Sequence, residues 1–247
     1  MTSRALPVRR GFAAPGSFTG VLAAETRTEL LKAMRLPAFI VPTIVFPAMF
    51  YAPFGLMLNG GGRVAGVAIP AYLLASYGTF GVVGAALFGM GIGVASERGQ
   101  GWLTLKRSTP MPPLAYFLAK AVMSMIVGAV IAGVLAVLGV TLGDVRLPAL
   151  SWALLFLTLT LGAIPFCAFG CALGYLSGPS SAPMLANLIY LPMSLASGLW
   201  IPLEFMPDVI RAMAPFMPPY HLARLALGPV RGAATSPLLH IAALVGF

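Results

Sequence analysis

Four stretches of this chain, residues 36–62, 64–96, 121–143 and 147–203, contain no Asp, Glu, Lys or Arg. Each is longer than the 18 or so apolar residues that mark a membrane-spanning helix. Composition points the same way: 59% of the 247 residues are apolar and 9% are charged, where soluble domains run near one quarter charged. The chain therefore reads as an all-α polytopic membrane protein. Soluble enzymes, secreted disulfide scaffolds and disordered tails are excluded.

The formal net charge of +9 sits between the apolar runs, so its expected partners are anionic lipid headgroups and a cytoplasmic protein, not nucleic acid. Cys167 and Cys171 fall inside one apolar run. As i and i+4 positions of one helix they cannot easily bridge, and they read as small packing residues, with a soft-metal pair as the alternative. Arg9, Arg10 and Phe12 loosely echo an export signal, but Pro15, Gly16 and Ser17 interrupt the apolar core such a signal needs. Residues 1–16 are expected to be a retained flexible cytoplasmic tail.

Residues 17–35 mix Phe18, Val21, Leu22, Leu30, Leu31 and Met34 with Glu25, Arg27, Glu29, Lys32 and Arg35. This predicts an amphipathic interfacial helix capped by Ser17 or Thr19. Spans are expected at 36–58, 66–95, 121–142, 149–175 and 183–201. Pro37, Pro42, Pro47 and Pro53 argue against an unkinked first span. The run 147–203 must fold back, because one helix of that length would reach about 85 Å at 1.5 Å per residue. The turn is placed at 176–183, where Ser, Gly and Pro cluster. A proline-rich connection follows, and 236–247 reads as a sixth span that is cut short or only partly inserted.

With the N-terminus inside, ten Lys and Arg fall on cytoplasmic segments and five (Arg63, Arg146, Arg211, Arg224, Arg231) outside. The excess predicts a cytoplasmic N-terminus.

Gly81, Ala85, Gly89 and Gly93 recur every fourth residue in the second span, and Gly170 and Gly174 repeat the spacing in the fourth. Small residues in register let backbones approach, so these are packing faces, within the chain or against a second copy. The sequence holds no G-x-S-x-G, H-E-x-x-H or G-x-x-x-x-G-K-[ST] motif, which speaks against hydrolase chemistry and leaves any ATP to another subunit. The central spans also lack the ionisable groups that ion-coupled carriers use. The informative stretch is 96–120, where Trp102, Leu103 and Leu105 alternate with Glu97, Arg98, Lys106 and Arg107. Aromatic and arginine groups presented together suit docking into a protein groove, with contact to lipid alone as the alternative.

The Glu97-Arg98-x-x-Gly101 stretch, its leucine-rich turn, Thr109-Pro110 and Lys120 resemble the loop between the second and third spans of type-2 ABC exporter permeases. A second stretch is similar to that family's segment between the fifth and sixth spans: Ser197-Gly198-Leu199-Trp200-Ile201-Pro202, then Pro207, Pro218-Pro219-Tyr220-His221 and Arg224. The likeness runs from about residue 17 onward and departs at Trp102, where the family more often has threonine, and at the short sixth span.

The resemblance implies a permease subunit without a cofactor of its own, in a bacterial-type plasma membrane. It would pair with a second copy or paralogue and with cytoplasmic ATPases that bind ATP and Mg²⁺. Residues 97–118 would carry the coupling helix, and 203–231 would form re-entrant segments, with Pro202, Glu204, Tyr220 and Arg224 as outer gate candidates. Glu204 also reads as a solvated charge. The expected activity is export of an amphipathic or lipid-linked substrate. The competing readings are a six-span membrane enzyme or assembly factor without a motor, and an ion-coupled carrier.

Overall fold

A computed structural model describes residues 17–57, 62–109, 111–232 and 237–247; the proposed tail 1–16 lies outside them. Along the chain come α1 (Phe18–Met34), α2 (Pro37–Met57), a hairpin of β1 (Arg63–Val64) and β2 (Val67–Ala68), α3 (Ile69–Gly99), α4 (Trp102–Arg107), α5 (Pro113–Thr141), α6 (Ala149–Leu176), α7 (Ala182–Ala196), α8 (Asp208–Met213), α9 (Pro218–Arg231) and α10 (Pro237–Gly246). Single 3-10 turns at Leu203–Phe205 and Ala214–Phe216 flank α8.

Helix α3 is the axis of the fold. Its residues from Pro70 to Leu87 are all buried, because α2, α5, α6, α7 and α9 pack around it. Helices α5 and α6 bury one face each: Met123, Val127, Ile131 and Leu135 on α5, and Leu155, Leu159, Ala163 and Phe166 on α6. Their opposite faces carry exposed Val130, Val137, Leu157, Leu161 and Ile164. An outer surface this apolar suits hydrocarbon, where the helices satisfy their own backbone groups.

The expected small-residue faces meet partners within this chain. A Cβ on Gly81 would come 2.6 Å from Cγ2 of Ile131 on α5 and 2.9 Å from Cγ of Pro47 on α2. A Cβ on Gly174 would come 2.6 Å from the carbonyl oxygen of Gly91, and one on Gly91 3.1 Å from that of Gly170. The α3 and α6 backbones thus touch directly, through Gly91 as well as the two α6 glycines.

Among the described residues three helices, α3, α5 and α6, are long and apolar enough to cross a membrane. A fourth span results if α1 and the Phe39–Phe54 part of α2, which meet at 71°, count as one broken crossing. Helix α2 stays helical through Pro42, Pro47 and Pro53. The stretch expected to be a fifth span, 183–201, is helical only to Ala196, 15 residues in α7, about 22 Å at 1.5 Å per residue and short of the hydrocarbon thickness. It stops because Gly198 turns left-handed at φ 74° and Leu203 packs onto it, where a Cβ would meet Leu203 Cγ at 2.5 Å. Helix α10 has 10 residues. The loop expected at 97–118 is largely helical, since α3 runs on to Gly99 and α5 already begins at Pro113.

The hairpin is the only β structure among the described residues. Ala65 and Gly66 both have positive φ, 53° and 82°, the type I′ turn that two-residue hairpins favour. Glu204 reaches across to it and accepts the Ala65 N–H at 2.8 Å.

Candidate functional site

At the other end of α3 the chain gathers its buried charge. Ser17 accepts the Gly20 N–H at 3.3 Å and caps α1. From there Glu25, Glu29 and Lys32 follow at helical spacing along the face turned to α5. On α5, Tyr116 and Lys120 are one turn apart on the buried face. Glu97 projects from the last turn of α3. Gly101, left-handed at φ 77°, then reverses the chain and starts α4 directly beneath, which brings Lys106 back toward α3.

These seven side chains form one network. Lys120 Nζ lies 2.6 Å from Glu29 Oε2 and 3.1 Å from Glu97 Oε1. Lys32 bridges the same two acids at 2.8 and 3.0 Å. Lys106 pairs with Glu25, stands 4.0 Å from both Glu29 and Glu97, and lies over the Tyr116 ring at 4.4 Å. Tyr116 donates its hydroxyl proton to Glu97 Oε2 at 2.7 Å. Three carboxylates and three ammonium groups cancel, which is the condition for taking such charges out of water. Lys120 and Glu29 are only 2% and 3% exposed.

The candidate docking residues separate into two sets. Trp102 and Leu105 point outward, 50% and 61% exposed. Leu103 packs against the core, while Glu97 and Lys106 belong to the network. Arg98 donates to the carbonyls of Tyr175 and, at 2.7 Å, Ser177, so it closes the C-terminal end of α6. The Arg107 side chain lies outside the described residues. Sequence reading assigned none of Glu25, Glu29, Lys32, Tyr116 and Lys120 to a site. Their signal was present as two acids four residues apart on one helical face, opposite an equally spaced Tyr and Lys.

The four candidate outer residues make different contacts. Pro202 is buried beside Trp200, and Glu204 holds the hairpin. Tyr220 stacks under the Arg224 guanidinium at 5.1 Å. Trp200 donates to Ser194 Oγ at 2.9 Å and edges Phe80. Beside this aromatic cluster a cavity of about 350 Å³ opens between α2, α3 and α7, walled by Phe39, Phe46, Phe80, Phe88 and Tyr190, with Thr43 and Asn187 as its polar side chains.

Hydrocarbon-compatible outer faces, with charge buried in a compensated network at one end, suit a helical membrane protein. The chain belongs to the ABC-2 type transporter family, whose model matches residues 22–228. It is also similar to "Putative transport permease YvfS" of Bacillus subtilis (strain 168), 28% identical over 218 residues, a match covering 86% of each chain.

Proposed function

We propose that this chain is the membrane subunit of an ATP-driven exporter in a bacterial-type plasma membrane, with its N-terminus in the cytoplasm. ATP and Mg²⁺ are bound by separate ATPase subunits, and a second permease copy or paralogue completes the pathway. The reading is carried by α4, a six-residue helix that presents Trp102 and Leu105 outward while Lys106 beneath them is tied to α1 and α3. A partner gripping the outward pair displaces α4, and the ion pairs pass that displacement to α1, α3 and α5. Exposed aromatic anchors are the usual energetic centre of such contacts. The aromatic cavity beside α2 and α7 suits the apolar part of an amphipathic or lipid-linked substrate.

Reconstitution in vesicles tests the proposal. Transport is expected only when the ATPase and ATP are present on the α4 side, and Trp102→Ala is expected to release the ATPase. ATP hydrolysis by the rigorously purified chain alone, or undiminished ATPase binding by Trp102→Ala, overturns it.

A further inference from the structure

Helix α10 is held to the body of the protein in an unusual way. Leu238, Leu239, Ile241, Val245 and Phe247 are exposed, and Leu244 is the one residue of α10 that is buried. Its polar tie among the described residues is a hydrogen bond between two histidines, His221 Nδ1 on α9 and His240 Nδ1 on α10, 2.9 Å apart.

The protons of this pair are determined by a third group. His221 Nε2 lies 2.8 Å from the Pro215 carbonyl oxygen, which can only accept, so His221 carries its proton on Nε2. A neutral imidazole bears one N–H, and Nδ1 of His221 is therefore the acceptor and His240 Nδ1–H the donor. The two rings respond oppositely to acid. A proton added to His240 goes to Nε2 and leaves the donor in place. A proton added to His221 can go only to Nδ1, which sets two N–H groups against each other at 2.9 Å.

The surroundings do not relieve that conflict. On α9 the neighbours are Tyr220, ring centroids 5.3 Å from His221, and the Arg224 cation above Tyr220. Just past α10 the neighbour is Phe247, 6.3 Å away. The 3-10 turn Ala214–Phe216 contributes only the Pro215 carbonyl. On α6, Gly162 is one of the residues packed against α9, where it meets Leu222. No carboxylate makes a salt bridge to either histidine among the described residues.

We propose that His221 and His240 form an acid-released latch that holds α10 on α9 at neutral pH and frees it when His221 is protonated. The contact is complete while His221 Nδ1 is free to accept and is lost on acidification, when a proton on Nδ1 removes the acceptor that His240 uses. Opening α10 widens the apolar groove it forms with α6 and α9, about 870 Å³, lined by Leu154, Leu161, Leu222, Leu225, Ile241 and Leu244 among others.

Amide exchange of the full chain in lipid nanodiscs, at about pH 8 and about pH 5.5 and corrected for intrinsic exchange rates, tests the latch. Protection across α10 is expected to fall by on the order of tenfold per pH unit below the transition, while α3 stays unchanged. His221→Gln keeps an acceptor for His240 and removes the critical proton site, so its α10 is expected to be insensitive to pH. His240→Gln keeps a donor toward His221, so its α10 should remain acid-sensitive. Wild-type protection that does not change with pH overturns the proposal, as does an acid response in His221→Gln equal to that of the wild type. If either variant fails to fold, the wild-type response alone decides, since a latch that ignores pH is no latch.

Discussion

Lys120 on α5 and Glu29 on α1 are 91 residues apart in sequence, yet their charged atoms meet at 2.6 Å with both side chains almost wholly buried. A buried pair of this kind is a poor source of net stability but a strong constraint on geometry, because neither charge tolerates losing the other. It fixes α1 against α5 at the end of the molecule where α4 is presented.

Removing Lys120 should be severe. Lys120→Met leaves Glu29 and Glu97 facing each other with Lys32 as their shared cation, and an uncompensated buried charge costs about 3–5 kcal/mol. Thermal unfolding in detergent should show a large drop in midpoint. The double variant Lys120→Met with Glu29→Gln should recover much of it, because the orphaned charge is gone. A double variant as unstable as the single would show that the two residues do not share an interaction.

Trp102 and Lys106 are four residues apart on α4 and should fail differently. Trp102→Ala is expected to leave the midpoint within about 0.5 kcal/mol of wild type, as exposed positions do, and to weaken association with the proposed ATPase partner by about 2 kcal/mol or more. Lys106→Ala should destabilise the permease itself by removing the cation next to Glu25. Binding measured beside unfolding separates the two; equal effects of both variants on stability would contradict the inward placement of Lys106.

Two glycines give a control for backbone packing. Gly174→Ala places a Cβ 2.6 Å from the Gly91 carbonyl oxygen, which cannot swing aside as a side chain could, and overpacking of this sort costs about 1–3 kcal/mol. Gly133, on α5, has nothing within 4 Å of a Cβ. Gly133→Ala should be neutral or stabilising by up to about 1 kcal/mol, since alanine loses less freedom in a helix. Reversal of this order in unfolding midpoints would count against the α3–α6 contact.

Glu204→Gln should loosen the hairpin. The carboxylate accepts the N–H of Ala65, a non-glycine residue in the left-handed region, and replacing a charged acceptor by an amide should cost about 1 kcal/mol. Faster amide exchange at Ala65, with α3 unchanged, is the expected outcome.

Much of this was readable from the residues. Gly81, Gly170 and Gly174 announced close helix contacts by their spacing, and the structure supplies the partners. The uncharged runs located α3, α5 and α6 to within a turn or so, except that Lys120 lies two turns inside α5 instead of opening it. A charge marks the end of the apolar window, not of the helix, when another buried charge is waiting for it. The run to Leu203 looked long enough for a fifth crossing because hydropathy cannot see that Gly198 turns left-handed and ends α7 early. The inward set of charges was hidden for a related reason. Glu25 and Glu29 on α1 read as a solvated face until α4 and α5 bring lysines to them from 81 and 91 residues away, and no local pattern encodes that distance.

The glycine contact between α3 and α6 has a mechanical consequence. Where two backbones touch with no side chain between them, there is no rotamer to change and no soft layer to shear, so the two helices must travel as one strut. Arg98 bolts the strut at its end by holding the last carbonyls of α6. Compliance is then left to what lies outside the strut, above all the short connection through the left-handed Gly101 that joins α4 to α3. A displacement of α4 is therefore expected to reach α1 through the Lys106–Glu25 pair while leaving the α3–α6 contact intact.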